Sequence, residues 1–268
     1  MSAGRSGRPV VVVTRRLPGP VEEQLAREFD ARLNADDRPL SAAELADALR
    51  TADDALMLLR MVARRGAEGD RHVRSGAWTG WRPTHMLGTR VSGKTIGLIG
   101  LGRIGRAVAH RARHGFGMRV IFHDPYPPPP AVVAELGAEP RDSVDDVLRE
   151  ADFVSLHSPA TPETHHLIDA RRLALMKRGA FLINNARGDI VDEAALVAAL
   201  KRGTIAGAGL DVFEREPAVA PELLSMENVV LLPHLGSATQ EARVAMGLRA
   251  LDNLKAFFSG AQPRDRVV

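Results

Sequence analysis

The sequence predicts an α/β protein: a doubly wound parallel sheet accompanied by a second, smaller α/β unit. Three observations carry that prediction. From Lys94 onward, strand-like apolar runs alternate with helical patterns, the rhythm of parallel strands joined by helical crossovers. A Gly-x-Gly-x-x-Gly turn over residues 100–105 joins the first of those strands to the first of those helices. Ahead of them, residues 9–59 carry a shorter strand and helix rhythm of their own.

PVVVTR at 9–14 is a β-branched run; the turn-like PGP follows, and VEEQLAREF then has helical spacing. Ser41 with Glu44 three residues later forms a capping box that opens SAAELADALR. Taken alone, DDALMLL reads as a buried strand. Its continuation changes the reading, because apolar residues at 55, 56, 58, 59, 62 and 63 fall at helical intervals, and DDALMLLRMVARR is expected to be largely helix. A Trp- and Gly-bearing arm over about residues 70–92 leads into the regular part. There TIGLIG, RVIFHD, ADFVSLH, AFLINN, IAGAGLDVF and NVVLLPH are the strands. RIGRAVAHRARHG, SVDDVLRE, DEAALVAALKRG and TQEARVAMGLRALDNLKAFF are the helices. YPPPP at 126–130 reads as a stiff polyproline loop.

Composition narrows the function classes. A chain of 268 residues, 45% hydrophobic and 26% charged, is ordinary globular material. No run approaches the roughly 18 apolar residues of a membrane helix, and MSAGRSGRPV lacks a signal peptide's apolar centre, so a cytoplasmic protein without membrane association is expected. The absence of cysteine excludes disulfides and thiolate metal sites. His165 and His166 are adjacent rather than ligand-spaced, so no metal is expected. The formal charge is +3, but the cations are mostly arginines scattered among 33 acids, with no basic block. No nucleic-acid partner is expected.

The glycine turn is more informative than a bare motif, because strand, turn, helix and second strand are all in place around GLIGLGRIG. Gly100 and Gly102 let the backbone turn tightly and approach a pyrophosphate, to which the amides of Arg103 and Ile104 can donate; Gly105 allows close helix–strand packing. Asp124 closes the next strand, 19 residues after Gly105. A carboxylate there can accept both ribose hydroxyls of NAD and repels the 2′-phosphate of NADP, which makes NAD the favoured cofactor.

Three later segments each place a polar residue just past the carboxyl end of a strand, where open α/β sheets hold ligands. These are Arg187 in NNARGD, Glu216 in GLDVFEREP and His234 in LLPHLGSAT, separated by 29 and 18 residues. Glu214 lies in the same loop as Glu216. An arginine offers a rigid fork of donors that can grip a carboxylate. An imidazolium can donate a proton to a ligand oxygen, and the neutral ring can take it back.

Together with the glycine turn, the order and spacing of these segments resemble the D-isomer-specific 2-hydroxyacid dehydrogenases, particularly the glyoxylate/hydroxypyruvate reductase branch. The resemblance covers nearly all of residues 61–268 and, less densely, 9–59. It implies a Rossmann-type NAD-binding domain over 56–239 and a truncated flavodoxin-like substrate domain from 1–55 plus 240–268. It also implies that Arg187, Glu216 and His234 carry the chemistry, with Glu216 orienting the imidazole and supporting its charge. Asp211 is implied near the nicotinamide amide, with Ser158, Asn185 and Gly236 lining the cofactor cleft. A homodimer is implied, in which Trp81 of the arm reaches the neighbour's substrate cleft. Glu216 preceding Pro217 follows the family; formate dehydrogenases resemble the chain less, having Gln where Glu216 stands.

In full-length relatives, further strands and helices separate the counterparts of the early strand and the long helix, including a glycine-containing loop that holds the substrate carboxylate. Nothing in this sequence matches that loop, and DDALMLLRMVARR carries the junction. Weakened substrate binding and lowered or lost activity are expected. Alternatives in the same family are a phosphoglycerate dehydrogenase and an NAD(H)-sensing binding protein of the co-repressor type.

Overall fold

A computed structural model describes residues 10–13, 16–32 and 52–266. The capping box at Ser41 and the helix expected after it lie outside the described residues. Two units divide the chain: Arg50–Gly236, and the remainder.

In the smaller unit, β1 (Val10–Val12) pairs in parallel with β2 (Asp30–Arg32), and α1 (Gly19–Glu28) crosses between them. α9 (Gln240–Phe258), capped by the Thr239 hydroxyl, packs on α1 around Val21, Leu25, Phe29 and Leu251. Lys255 Nζ reaches Glu28 Oε2 at 2.7 Å across the same pair. The described residues thus form one short parallel βαβ piece with a helix on it.

The larger unit opens with α2 (Ala52–Ala63) and α3 (Gly66–Arg74), separated by Arg65 in a left-handed conformation at φ 54°. DDALMLL is therefore helical and not a strand. The six apolar positions that sit at helical intervals, Ala55, Leu56, Leu58, Leu59, Val62 and Ala63, are all buried. Each buried leucine contributes roughly 1.5–3 kcal/mol relative to exposure. The Gly-Ala-Gly run in β8 (Gly207–Leu210) lets α2 lie close: a β-carbon on Gly209 would stand 3.1 Å from that of Leu58.

Beyond the arm come β3 (Thr95–Ile99), α4 (Arg103–Phe116), β4 (Arg119–His123), α5 (Pro130–Leu136), β5 (Ala138–Pro140), α6 (Val144–Glu150) and β6 (Phe153–Leu156). α7 (Ala170–Leu175), β7 (Phe181–Asn184), α8 (Glu193–Arg202), β8 and β9 (Val229–Leu231) complete it. All seven strands are parallel, in the order β5-β4-β3-β6-β7-β8-β9. α2 and α4 cover one face; α6, α7 and α8 cover the other. Side chains alternate as a two-sided sheet requires, with Ile96 and Leu98 toward the first face and Ile99 toward the second. The polyproline expectation fails at its last residue, because Pro130 opens α5; proline's fixed φ and missing N–H suit the first turn of a helix. Strand order reverses between β3 and β6, which puts the glycine turn at the topological switch point.

Candidate active site

At the switch point, Gly100 leaves β3 with φ +97°, and its N–H donates to the His123 carbonyl at 2.9 Å. A β-carbon on Gly105 would stand 2.4 Å from the Gly100 carbonyl oxygen, so only glycine permits this closure. Gly102 caps α4 without a side-chain hydrogen bond, and open space lies where its β-carbon would be. The first-turn amides of α4, from Arg103 and Ile104 onward, thus have room for an anion, and these residues fit a dinucleotide's pyrophosphate.

Asp124 follows β4 and accepts from Leu101 N at 2.6 Å and Tyr126 N at 2.8 Å, tying the glycine turn to the neighbouring strand end. Ser158 donates to the Ile99 carbonyl at 3.3 Å. Burial of the His157 ring pushes its pKa down to about 4, so a neutral imidazole packs beneath the turn.

Further along the sheet, three strand ends present the catalytic candidates. Asn184, the last residue of β7, shapes the first loop: its Nδ2 donates to Arg187 O at 2.9 Å and its Oδ1 accepts from Ala186 N at 3.1 Å. Arg187 is extended and half-buried. Beyond β8, Phe213 N donates to Glu216 Oε1 at 3.1 Å, while Glu216 Oε2 stands 3.0 Å from His234 Nδ1. A carboxylate can only accept, so Nδ1 carries the hydrogen and Nε2 is left facing outward for chemistry. Glu214 points elsewhere, toward Glu193 N at 3.2 Å and His166 Nε2 at 3.3 Å.

His234 itself holds a left-handed backbone, φ 56°, a conformation that costs about 1–3 kcal/mol outside glycine and gathers at functional sites. Asp211 supplies the compensation. Its carbonyl accepts from His234 N at 3.0 Å, and its buried carboxylate accepts from Leu235 N at 2.6 Å and Gly236 N at 2.8 Å. Charge-assisted bonds of this kind are the strong ones, and here they clamp the loop that carries the imidazole.

Three contributors were not singled out from sequence. Asn184 is one, its neighbour Asn185 having drawn attention instead. Gly188 is another: a β-carbon there would lie 1.9 Å from Phe213 C, so the Arg187 loop and the Glu216 loop touch backbone to backbone. Gly188→Ala is expected to push those loops apart at a cost of about 1–3 kcal/mol in chemical denaturation, and unchanged stability would contradict the contact. The third is Asp54 in the first turn of α2, buried with Asp211 and Asn185 nearby. Among the described residues no group of three or more His, Cys, Asp or Glu could hold a metal ion, and no helix is long and apolar enough to cross a membrane.

Sheet order, glycine turn and the polar groups at successive strand ends define a dinucleotide-binding type of unit. Residues 56–236 match the family described as D-isomer specific 2-hydroxyacid dehydrogenase, NAD binding domain, and the chain belongs to that family. A glyoxylate reductase of Thermococcus litoralis is 51% identical over 221 residues, 81% of this chain and 66% of that protein. The chain spans just under two thirds of the length of the curated relatives it matches. Among solved structures, a Thermus thermophilus protein superposes with TM-score 0.86 at 36% identity, covering 97% of this chain and 100% of that one. An NADPH-dependent glyoxylate/hydroxypyruvate reductase of Sinorhizobium meliloti, in complex with citrate, superposes with TM-score 0.82 at 32% identity, covering 96% of each chain.

Proposed function

We propose that the chain is an NAD(H)-dependent 2-hydroxyacid dehydrogenase of the glyoxylate/hydroxypyruvate reductase kind, a cytoplasmic homodimer acting on a small 2-oxo or 2-hydroxy acid. One observation carries the reading: the His234–Glu216 pair at 3.0 Å, held at a strand end beside the Arg187 loop. Bound NADH supplies the hydride. Arg187 grips the substrate carboxylate and polarises the ketone. His234 gives the Nε2 proton to the ketone oxygen, and in the reverse direction the neutral ring takes it back from the hydroxyl. Glu216 keeps the ring in the tautomer and orientation that this requires. The likeness to glyoxylate reductases supports the substrate class.

With no counterpart of the family's carboxylate-holding glycine loop, substrate grip falls largely on Arg187, and a raised KM for the oxo acid follows. Trp81 is 82% exposed on the arm, with Trp78 and Leu87 also exposed; apolar surface of this kind supports a dimer contact, which sedimentation velocity checks. Following NADH absorbance with glyoxylate or hydroxypyruvate tests the activity. Tight NADH binding with no turnover on any 2-oxo acid would favour the NAD(H)-sensing role instead.

Asp124 sets the cofactor preference in this reading. Asp124→Asn keeps an oxygen for Leu101 N while removing the charge, and is expected to move the NADPH/NADH ratio of dissociation constants toward NADPH by about tenfold, or about 1.4 kcal/mol. An unchanged ratio would remove that role.

A further inference from the structure

Asp54 takes no part in the proton and hydride chemistry proposed for Arg187, Glu216 and His234. It lies on the buried side of α2, among Ala55, Leu58 and Leu59, at 6% exposure. Its neighbour Asp53 faces solvent and pairs with Arg111 at 2.9 Å. Neither Asp54 oxygen meets a partner in full hydrogen-bond geometry, although the side chains of Asn185 and Asp211 lie near enough to bear on it as bonding groups. The groups that bear on the carboxyl are Asp211 from the end of β8, His234 from the following strand's loop, and the neutral amide of Asn185 from the end of β7. Among the described residues no guanidinium or ammonium is one of them.

Two carboxyls in one buried pocket resist ionising together, so one of them keeps its proton well above the ordinary carboxyl range. Asp211 holds the charge, because its two oxygens already accept from Leu235 N and Gly236 N. Asp54 therefore holds the proton; burial first, and the Asp211 charge second, push it up to about 7.

We propose that Asp54 and Asp211 carry one proton between them, and that this pair is a positioning device for His234. While Asp54 is protonated, Asp211 keeps the 234–236 loop clamped; when Asp54 ionises, the second negative charge repels the first and the clamp loosens. The proposal deepens the reading of His234 as the proton donor and rests on it for its bearing on catalysis, but the loop itself can be read without turnover.

The test is amide hydrogen exchange at Leu235 and Gly236 in the full chain without cofactor, from about pH 5 to about 9, corrected for intrinsic rates. Wild type is expected to lose protection at least about fivefold as the pair ionises, whereas Asp54→Asn stays flat. Superimposable profiles, or a flat wild type, overturn the proposal. Infrared spectroscopy of the wild type stands independently of any variant's folding: a protonated carboxyl band that disappears near neutral pH supports it, and no such band at about pH 5 overturns it. Absence of turnover on every oxo acid would sink the dehydrogenase reading while leaving both results standing.

Discussion

Replacing His234 by alanine is expected to lower turnover of NADH with glyoxylate by roughly 10²–10⁴-fold, the usual worth of a positioned general acid. NADH affinity should change little, because the glycine turn and Asp124 lie at β3 and β4, strands away from the His234 loop. The loss should fall on kcat rather than KM, as an interaction made mainly in the transition state requires. Glu216→Gln gives a milder version: the amide oxygen can still accept from Nδ1, but the charge that supports an imidazolium is gone. Steady-state kinetics beside NADH titration by fluorescence separates these effects. A His234→Ala protein turning over like wild type would remove the imidazole from the chemistry.

A second large effect is expected on stability. Asp54 is raised from the ordinary carboxyl value of 3.8 to about 7 in the folded chain, so the folded state keeps a proton that the unfolded state releases. Its contribution is fully present below about pH 4 and is lost as pH rises through about 7. The full rise is worth about 4 kcal/mol; with solvent screening of a partly accessible group, the wild type should lose on the order of 3 kcal/mol over that window relative to Asp54→Asn, which has nothing to titrate. For a chain of this size that corresponds to roughly 5–10 °C in Tm. Urea denaturation across the window reads it, and parallel pH profiles for the two proteins would contradict the burial of an uncompensated carboxyl.

The parts of this molecule legible in sequence are those whose cause is local. The glycine turn announces itself because only glycine can adopt the φ of Gly100 and the close approach of Gly105. Leu58, Leu59 and Val62 identify α2 as a helix through their spacing, although DDALMLL alone looks like a strand; the length of the periodic run decides between them. β2 (DAR) and β5 (AEP) lack the β-branched run that announces the equally short β1 (VVV) and β9 (VVL). Gly188 and Asp54 escape for a different reason. Their roles arise from neighbours on other strands, Phe213 and Asp211, which no local pattern brings together. Glu214 and Glu216 are equivalent as letters, and separate once one of them reaches His234.

In the proposed function this site transfers hydride to a small oxo acid. NADH deuterated at the transferred position of its nicotinamide, incubated with glyoxylate and the purified chain, measures that transfer directly by mass spectrometry of the product. Hydride transfer at this site is expected to give glycolate carrying one deuterium on the carbon beside the carboxylate for each NADH oxidised. NADH held tightly by the protein with no labelled glycolate, at any attainable glyoxylate concentration, would contradict it.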